Sequence, residues 1–166
     1  LDGVRALAVL AVVLFHAGTP GFGGGYLGVS LFFTLSGYLI TSLLLQEHDG
    51  AGSVDFRAFY GRRMRRLLPA SVATVAAVVV IAAVSDVFDG VVGLRSQVVG
   101  ALLQVSNWVL LAGDTSYQDL LAQGSGAVSP LEHFWSLAIE EQFYWLWPPL
   151  LALLLTRVHA RRRRVW

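Results

Sequence analysis

The chain contains no cysteine, a single methionine and few charges: 14% of its 166 residues are Asp, Glu, Lys or Arg. Without cysteine there is no disulfide, no thiolate nucleophile and no sulfur-ligated metal, while the redox compartment stays open. The four histidines, His16, His48, His133 and His159, lack the paired spacing of a motif such as H-E-x-x-H, so no metal site is expected. Scarce charge beside 55% apolar residues points to a bilayer rather than to water. The formal charge of +1 carries little meaning, because the arginines are gathered in two places. Repeats and low-complexity segments are also absent. The apolar stretch Val4 to Gly18 has Asp2 and one Arg5 on its flank and no small-x-small cleavage site, which excludes a signal peptide.

What is present is a succession of four or five apolar segments. The first runs from about Val4 to His16 and ends before a glycine-rich turn, TPGFGGG. The second, Tyr26 to Gln46, is of spanning length, about 20 residues. A polar loop, EHDGAGSVD, leads to the basic and aromatic FRAFYGRRMRRLLPA, and Leu67 to Val84 follows as an Ala/Val-rich run. The fourth, Leu94 to Ala112, is the most polar, with Arg95, Gln97, Gln104 and Asn107 inside it. The last is EHFWSLAIEEQFYWLWPPLLALLL, Glu132 to Leu155, which ends in RVHARRRR. The expected fold is all-α: a polytopic transmembrane helix bundle of four to five segments. Because the chain opens at Leu1 and stops at Trp166 just after a basic run, it is expected to be a piece of something longer.

Positive charge marks cytoplasmic loops. Arg62, Arg63, Arg65 and Arg66 form one cluster, and Arg157 with Arg161 to Arg164 the other. Three apolar segments lie between them, yet a return to the same side takes an even number of crossings. Leu94 to Ala112 is therefore expected to re-enter or to pack inside the protein. The N-terminus would then be cytoplasmic, with TPGFGGG outside and Glu140 toward the outer half.

Three groups of residues carry chemistry. Arg5 and His16 are eleven positions apart, which puts them on one helix face roughly 16 Å apart along the axis. An ionisable group inside a membrane segment points to function, although Arg5 reaching for headgroups and His16 at the interface would explain the pair equally. In the basic run, Arg62 with Arg65 or Arg66 forms a face suited to a polyphosphate or to anionic lipid. Phe59 and Tyr60 beside it suit a base or the membrane interface. No nucleic-acid partner is expected, since nothing around the cluster is soluble. In the last segment, His133, Ser136, Glu140 and Tyr144 share a stripe, while Glu141 lies about 100° away. A carboxylate there must face a polar interior, find a cation or take up a proton. A carboxylate and a histidine suit acid–base chemistry, and an ion pair locking two helices is the plainer reading. Ser36-Gly37, mid-span, is read as helix packing rather than as a nucleophile.

LDGVRALAVLAVVLFHAG, GYLGVSLFFTLSGYLIT, FYGRRMRRLLPA and HFWSLAIEEQFYWLWPPLL, in that order, resemble the integral-membrane acyltransferase family 3. The resemblance runs over nearly the whole chain. It implies that residues 1–166 are the N-terminal part of a membrane acyltransferase domain of roughly ten helices. It also implies an enzyme that moves an acyl group, often acetyl, from cytoplasmic acyl-CoA to a hydroxyl of an extracytoplasmic glycan or small molecule. The setting would be the bacterial cytoplasmic membrane. The family's R-x10-H signature falls on Arg5 and His16, with His16 the general base. Its R-R-x-x-R element falls on Arg62, Arg63 and Arg66, which would hold the CoA phosphates. Its H-x-W-S-L-x-x-E-x-Q-F-Y element falls on His133, Trp135, Ser136, Leu137, Glu140, Gln142, Phe143 and Tyr144. Glu140 with His133 would line the polar interior serving His16. A thioester donor needs no metal, and a covalent enzyme intermediate is optional. Three other readings stand beside this one. The first is a non-enzymatic transporter or channel module using the same ionisable residues. A second class of membrane acyltransferase is disfavoured by the missing H-x4-D, since Gly21 and Ala138 occupy the fifth positions after His16 and His133. The third is a fragment inactive by itself.

Overall fold

The computed structural model of the protein describes residues 2–113 and 129–163, with side chains for residues 3–113 and 129–157. Its elements are all helices: α1 Asp2–His16, α2 Leu27–Ala51, α3 Phe56–Val84, a 3-10 turn Asp86–Phe88, α4 Leu94–Leu102, α5 Ser106–Ala112 and α6 Phe134–Arg163. Contacts divide the chain into two compact units, Leu1–Val54 with Leu146–Trp166, and Asp55–Trp145. The division falls within α6.

In the first unit, α1 stops because Gly18 takes φ +65. Its N–H donates to the Phe15 carbonyl and the next N–H, of Thr19, donates to Leu14, at 3.0 Å each. Those two bonds form a Schellman turn, which glycine permits without a Cβ clash. The chain then doubles back as α2, pressed against α1 at Gly25 and Gly28. A Cβ on Gly28 would sit 2.4 Å from the Ala8 carbonyl oxygen and 2.8 Å from Val12 Cγ2. Ala8, Ile40 and Leu44 are buried in this unit. The loop expected over EHDGAGSVD is in part helical: α2 continues through Glu47, His48 and Asp49 to Ala51 and ends at Gly52, φ +72. These polar residues tolerate a helix, and only the glycine forces the stop.

The second unit is built on α3. Asp55 caps it, with its carboxylate accepting from the Ala58 N–H at 2.9 Å. The basic-aromatic stretch and the Ala/Val run are one continuous helix despite Pro69 within it. Val75 and Val78 of α3 pack with Ala101, Leu131 and Phe134 to form the core, flanked by Phe88, Leu94, Val98 and Leu137. Burying Phe134 contributes about 2–3 kcal/mol. The Leu94 to Ala112 segment is broken at Leu103–Val105, with Gln104 in the left-handed region at φ 57. The two pieces, roughly 14 Å and 10 Å long at the helical rise, make no continuous crossing.

Two helices, Leu27–Ala51 and Phe56–Val84, are long and apolar enough to cross a bilayer, with mean hydropathies of 1.7 and 2.5. Of the four to five segments expected, those two meet length and composition. The apolar helix Gly3–His16 is shorter, and α6 carries two carboxylates in its first third. Asp114 to Val128, which precede the last segment, and Arg164 of the terminal basic run lie outside the described residues.

Candidate functional site

Arg5 and His16 both lie on α1, in the first unit. The Arg5 guanidinium stands 4.7 Å from the centroid of the Phe32 ring on α2, a cation–π contact in place of a carboxylate partner. His16 is the last residue of α1 and is exposed. Its Nδ1 lies 2.8 Å from the Val12 carbonyl oxygen. A carbonyl only accepts, so that nitrogen carries the hydrogen and Nε2 is the one able to take a proton. Phe15 meets the imidazole edge to face at 5.3 Å, limiting where the ring can turn.

The carboxylates belong to the second unit. Glu140 and Glu141 are 9% and 6% exposed. The buried Tyr144 donates its hydroxyl to Glu140 Oε1, so the stripe expected from the sequence joins these two residues. His133 precedes the helix that carries them. It sits in the turn before α6, exposed, and its carbonyl accepts from Ser136 Oγ at 3.0 Å. The helix starts one residue later, at Phe134, and the N–H groups of Phe134 and Trp135 donate back to the turn carbonyls of Leu131 and Glu132. Glu141, set aside in the sequence as facing elsewhere, is the more deeply buried carboxylate, and its Oε1 has no hydrogen-bond partner.

The four arginines of the run RRMRR on α3 separate into two groups. Arg62, Arg65 and Arg66 are exposed, and Arg65 Nε donates to its own helix at the Gly61 carbonyl, 3.1 Å away. Arg63 is half-buried, its guanidinium 3.4 Å from the Tyr144 ring centroid and 5.6 Å from that of Phe59. Tyr60, one turn back, stacks on Trp145 at 4.7 Å. The α3 face carrying Tyr60 and Arg63 therefore packs on the first half of α6.

A third polar set went unread in the sequence. Gln142 donates to the Gln104 carbonyl at 3.0 Å and to Asn107 Oδ1 at 2.9 Å, and its Oε1 lies 3.3 Å from Asn107 Nδ2. It thereby satisfies backbone that the α4–α5 break leaves open. The clue was there: Gln104 and Asn107 are amides in an otherwise apolar segment. Among the described residues, no three His, Asp or Glu side chains converge as a metal-ligand group.

The described residues thus supply an anchored imidazole with a basic nitrogen, an arginine-lined helix face and a pair of buried carboxylates. Proteins of known description are similar to this chain over nearly its whole length. A Staphylococcus aureus (strain COL) protein named for O-acetyltransfer is 42% identical over 161 residues, 97% of this chain and 26% of that protein. YrhL of Bacillus subtilis (strain 168), named for peptidoglycan O-acetyltransfer, is 42% identical over 163 residues, 98% and 25% of the two chains. OatA of S. aureus (strain NCTC 8325), named an O-acetyltransferase, is 37% identical over 161 residues, 97% and 26%. The chain thus spans about a quarter of the length of these relatives. No solved structure matches it. The profile of the acyltransferase domain, type 3, covers residues 1–166, so every residue discussed above falls within it and the chain belongs to that family.

Proposed function

We propose that this domain serves O-acyl transfer at a membrane. An acyl group, acetyl in the first instance, leaves acyl-CoA for a hydroxyl of an extracytoplasmic glycan. The kinship to proteins named for O-acetyltransfer supports the reaction, and the name of the B. subtilis relative favours a cell-wall glycan as acceptor. The apolar helices α2 and α3 support an integral membrane protein, placed here in the bacterial cytoplasmic membrane.

The observation that carries the reading is the tethered His16. With Nδ1–H bound to Val12, Nε2 takes the proton of the acceptor hydroxyl as its oxygen attacks the thioester carbonyl. The C–S bond breaks, and the imidazolium returns the proton to the departing CoA sulfur. Arg5 lends positive charge to the same helix face. Arg62 and Arg66, one turn apart on α3 and exposed, offer a grip for CoA phosphates. Glu140, oriented by Tyr144, supplies negative charge to the polar interior, and His133 stands exposed in the turn just before the same helix.

The test uses the protein at its full natural length, in membranes, with labelled acetyl-CoA and a glycan acceptor. His16→Ala is expected to lower acylated product by at least about a hundredfold, the low end for a general base, without lowering the thermal midpoint. Product formed at the wild-type rate removes His16 from the reaction. A transporter or channel module would give no acylated product from the wild type either.

A further inference from the structure

Arg63 differs from its neighbours in the basic run. It is half-buried where Arg62, Arg65 and Arg66 are exposed, and its guanidinium is committed to a ring at 3.4 Å. That ring belongs to Tyr144, whose hydroxyl is the donor to Glu140. Burial, above all, opposes ionisation of Glu141, and the charge of the same arginine favours it. Glu141 is 6% exposed, with one oxygen lacking any hydrogen-bond donor. A carboxyl group buried this far from water keeps its charge only beside a cation and otherwise takes up a proton. A guanidinium over an aromatic face also fixes the ring in its plane, which a lysine ammonium does less well.

We propose that Arg63 is a positioning residue. Held on the ring of Tyr144, it sets the orientation of the tyrosine hydroxyl and so of the Glu140 carboxylate, and it takes no part in gripping the acyl donor. The run RRMRR thus serves two tasks: Arg62 and Arg66 face outward toward a polyphosphate, and Arg63 ties α3 to the carboxylates of α6. The kinetic half of this inference rests on the acyl-transfer reading. Its electrostatic half does not.

The experiment therefore has two arms, both on the protein at full natural length. The first arm is a thermal-stability cycle of Arg63→Gln, Glu141→Gln and the double variant, which needs no activity. Arg63→Gln alone is expected to lower the midpoint more than the double variant does, because the neutral amide at 141 no longer needs a cation. Additive effects overturn the pairing. The second arm measures turnover with acetyl-CoA. Arg63→Lys and Tyr144→Phe are each expected to lower kcat by about tenfold with the KM for acetyl-CoA within about twofold of wild type, whereas Arg66→Gln raises that KM by about tenfold. Tyr144→Phe keeps the ring under Arg63, so this arm stands even if Arg63→Gln fails to fold. A KM for Arg63→Lys that rises as it does for Arg66→Gln overturns the assignment. A wild type that yields no acylated product strikes the acyl-transfer reading and leaves the first arm to decide the pairing.

Discussion

At the scale of the residue, hydrogen bonds between polar side chains do work that apolar contact cannot. Trp147 of α6 donates its indole N–H to Thr41 Oγ1 at 2.8 Å, and that hydroxyl in turn donates to the Gly37 carbonyl at 2.7 Å. Thr41→Val keeps the shape and strands a part-buried donor. A loss of about 1–3 kcal/mol is expected, read as a lower midpoint in thermal unfolding. Thr41→Ser, which keeps the hydroxyl, should lose less. An equal loss in both variants would show that the methyl group, and not the hydroxyl, matters there. At this scale the sequence was partly informative. His16, Arg5 and Glu140 stand out because ionisable groups are conspicuous in apolar runs. The importance of Glu141 does not, since burial depends on what packs across it from α3. Nor could spacing separate Arg63 from Arg62: the two differ by a third of a turn, and which face meets α6 is a tertiary fact.

At the scale of the element, the closest packing is between α1 and α2. Adding a Cβ at Gly28 brings it within 2.4 Å of backbone, where no rotamer change gives relief. Gly28→Ala is expected to lower stability by about 1–3 kcal/mol, measurable as a fall in the thermal midpoint of the purified protein. At Gly18 there is space but the wrong backbone: φ is +65 and nothing lies within 4 Å of a built Cβ. Gly18→Ala should therefore cost only about 1–2 kcal/mol, through strain alone. A larger loss at Gly18 than at Gly28 would reverse the order. Helix starts were legible from hydrophobic runs, since α1, α2 and α6 begin near the apolar boundaries, whereas α2 and α6 run on past theirs to Ala51 and Arg163. Two features were hidden. The reach of α2 to Ala51 depends on where the first left-handed glycine falls, and the start of α6 after His133 depends on turn bonds that hydropathy does not register. The polarity of Leu94 to Ala112 marked it as unlike the other segments, but the break at Leu103–Val105 was not read from it, and Gln104 and Asn107 are the residues that Gln142 binds.

At the scale of the molecule, the notable property is how much apolar surface is left uncovered. Val80 of α3 is 59% exposed and Val84 78%, and α2 exposes Leu31 and Leu43. Water is a poor neighbour for such faces, whereas acyl chains or further helices suit them. A chain without cysteine makes a direct measurement possible. Single cysteines placed at Gly52 and at Ser85, flanking α3, should react with an impermeant maleimide from opposite sides of sealed vesicles. Labelling of both from the same side would mean that α3 does not cross.

The mooring of His16 to Val12 has a consequence for how such a site could be tuned. A ring fastened to its own backbone cannot be re-aimed by a change of rotamer. Where the imidazole points is decided by the final coil of α1 and by the bend at residue 18 that halts it. Substitutions in that bend, untouched by any reactant, would then alter aim before they altered fold.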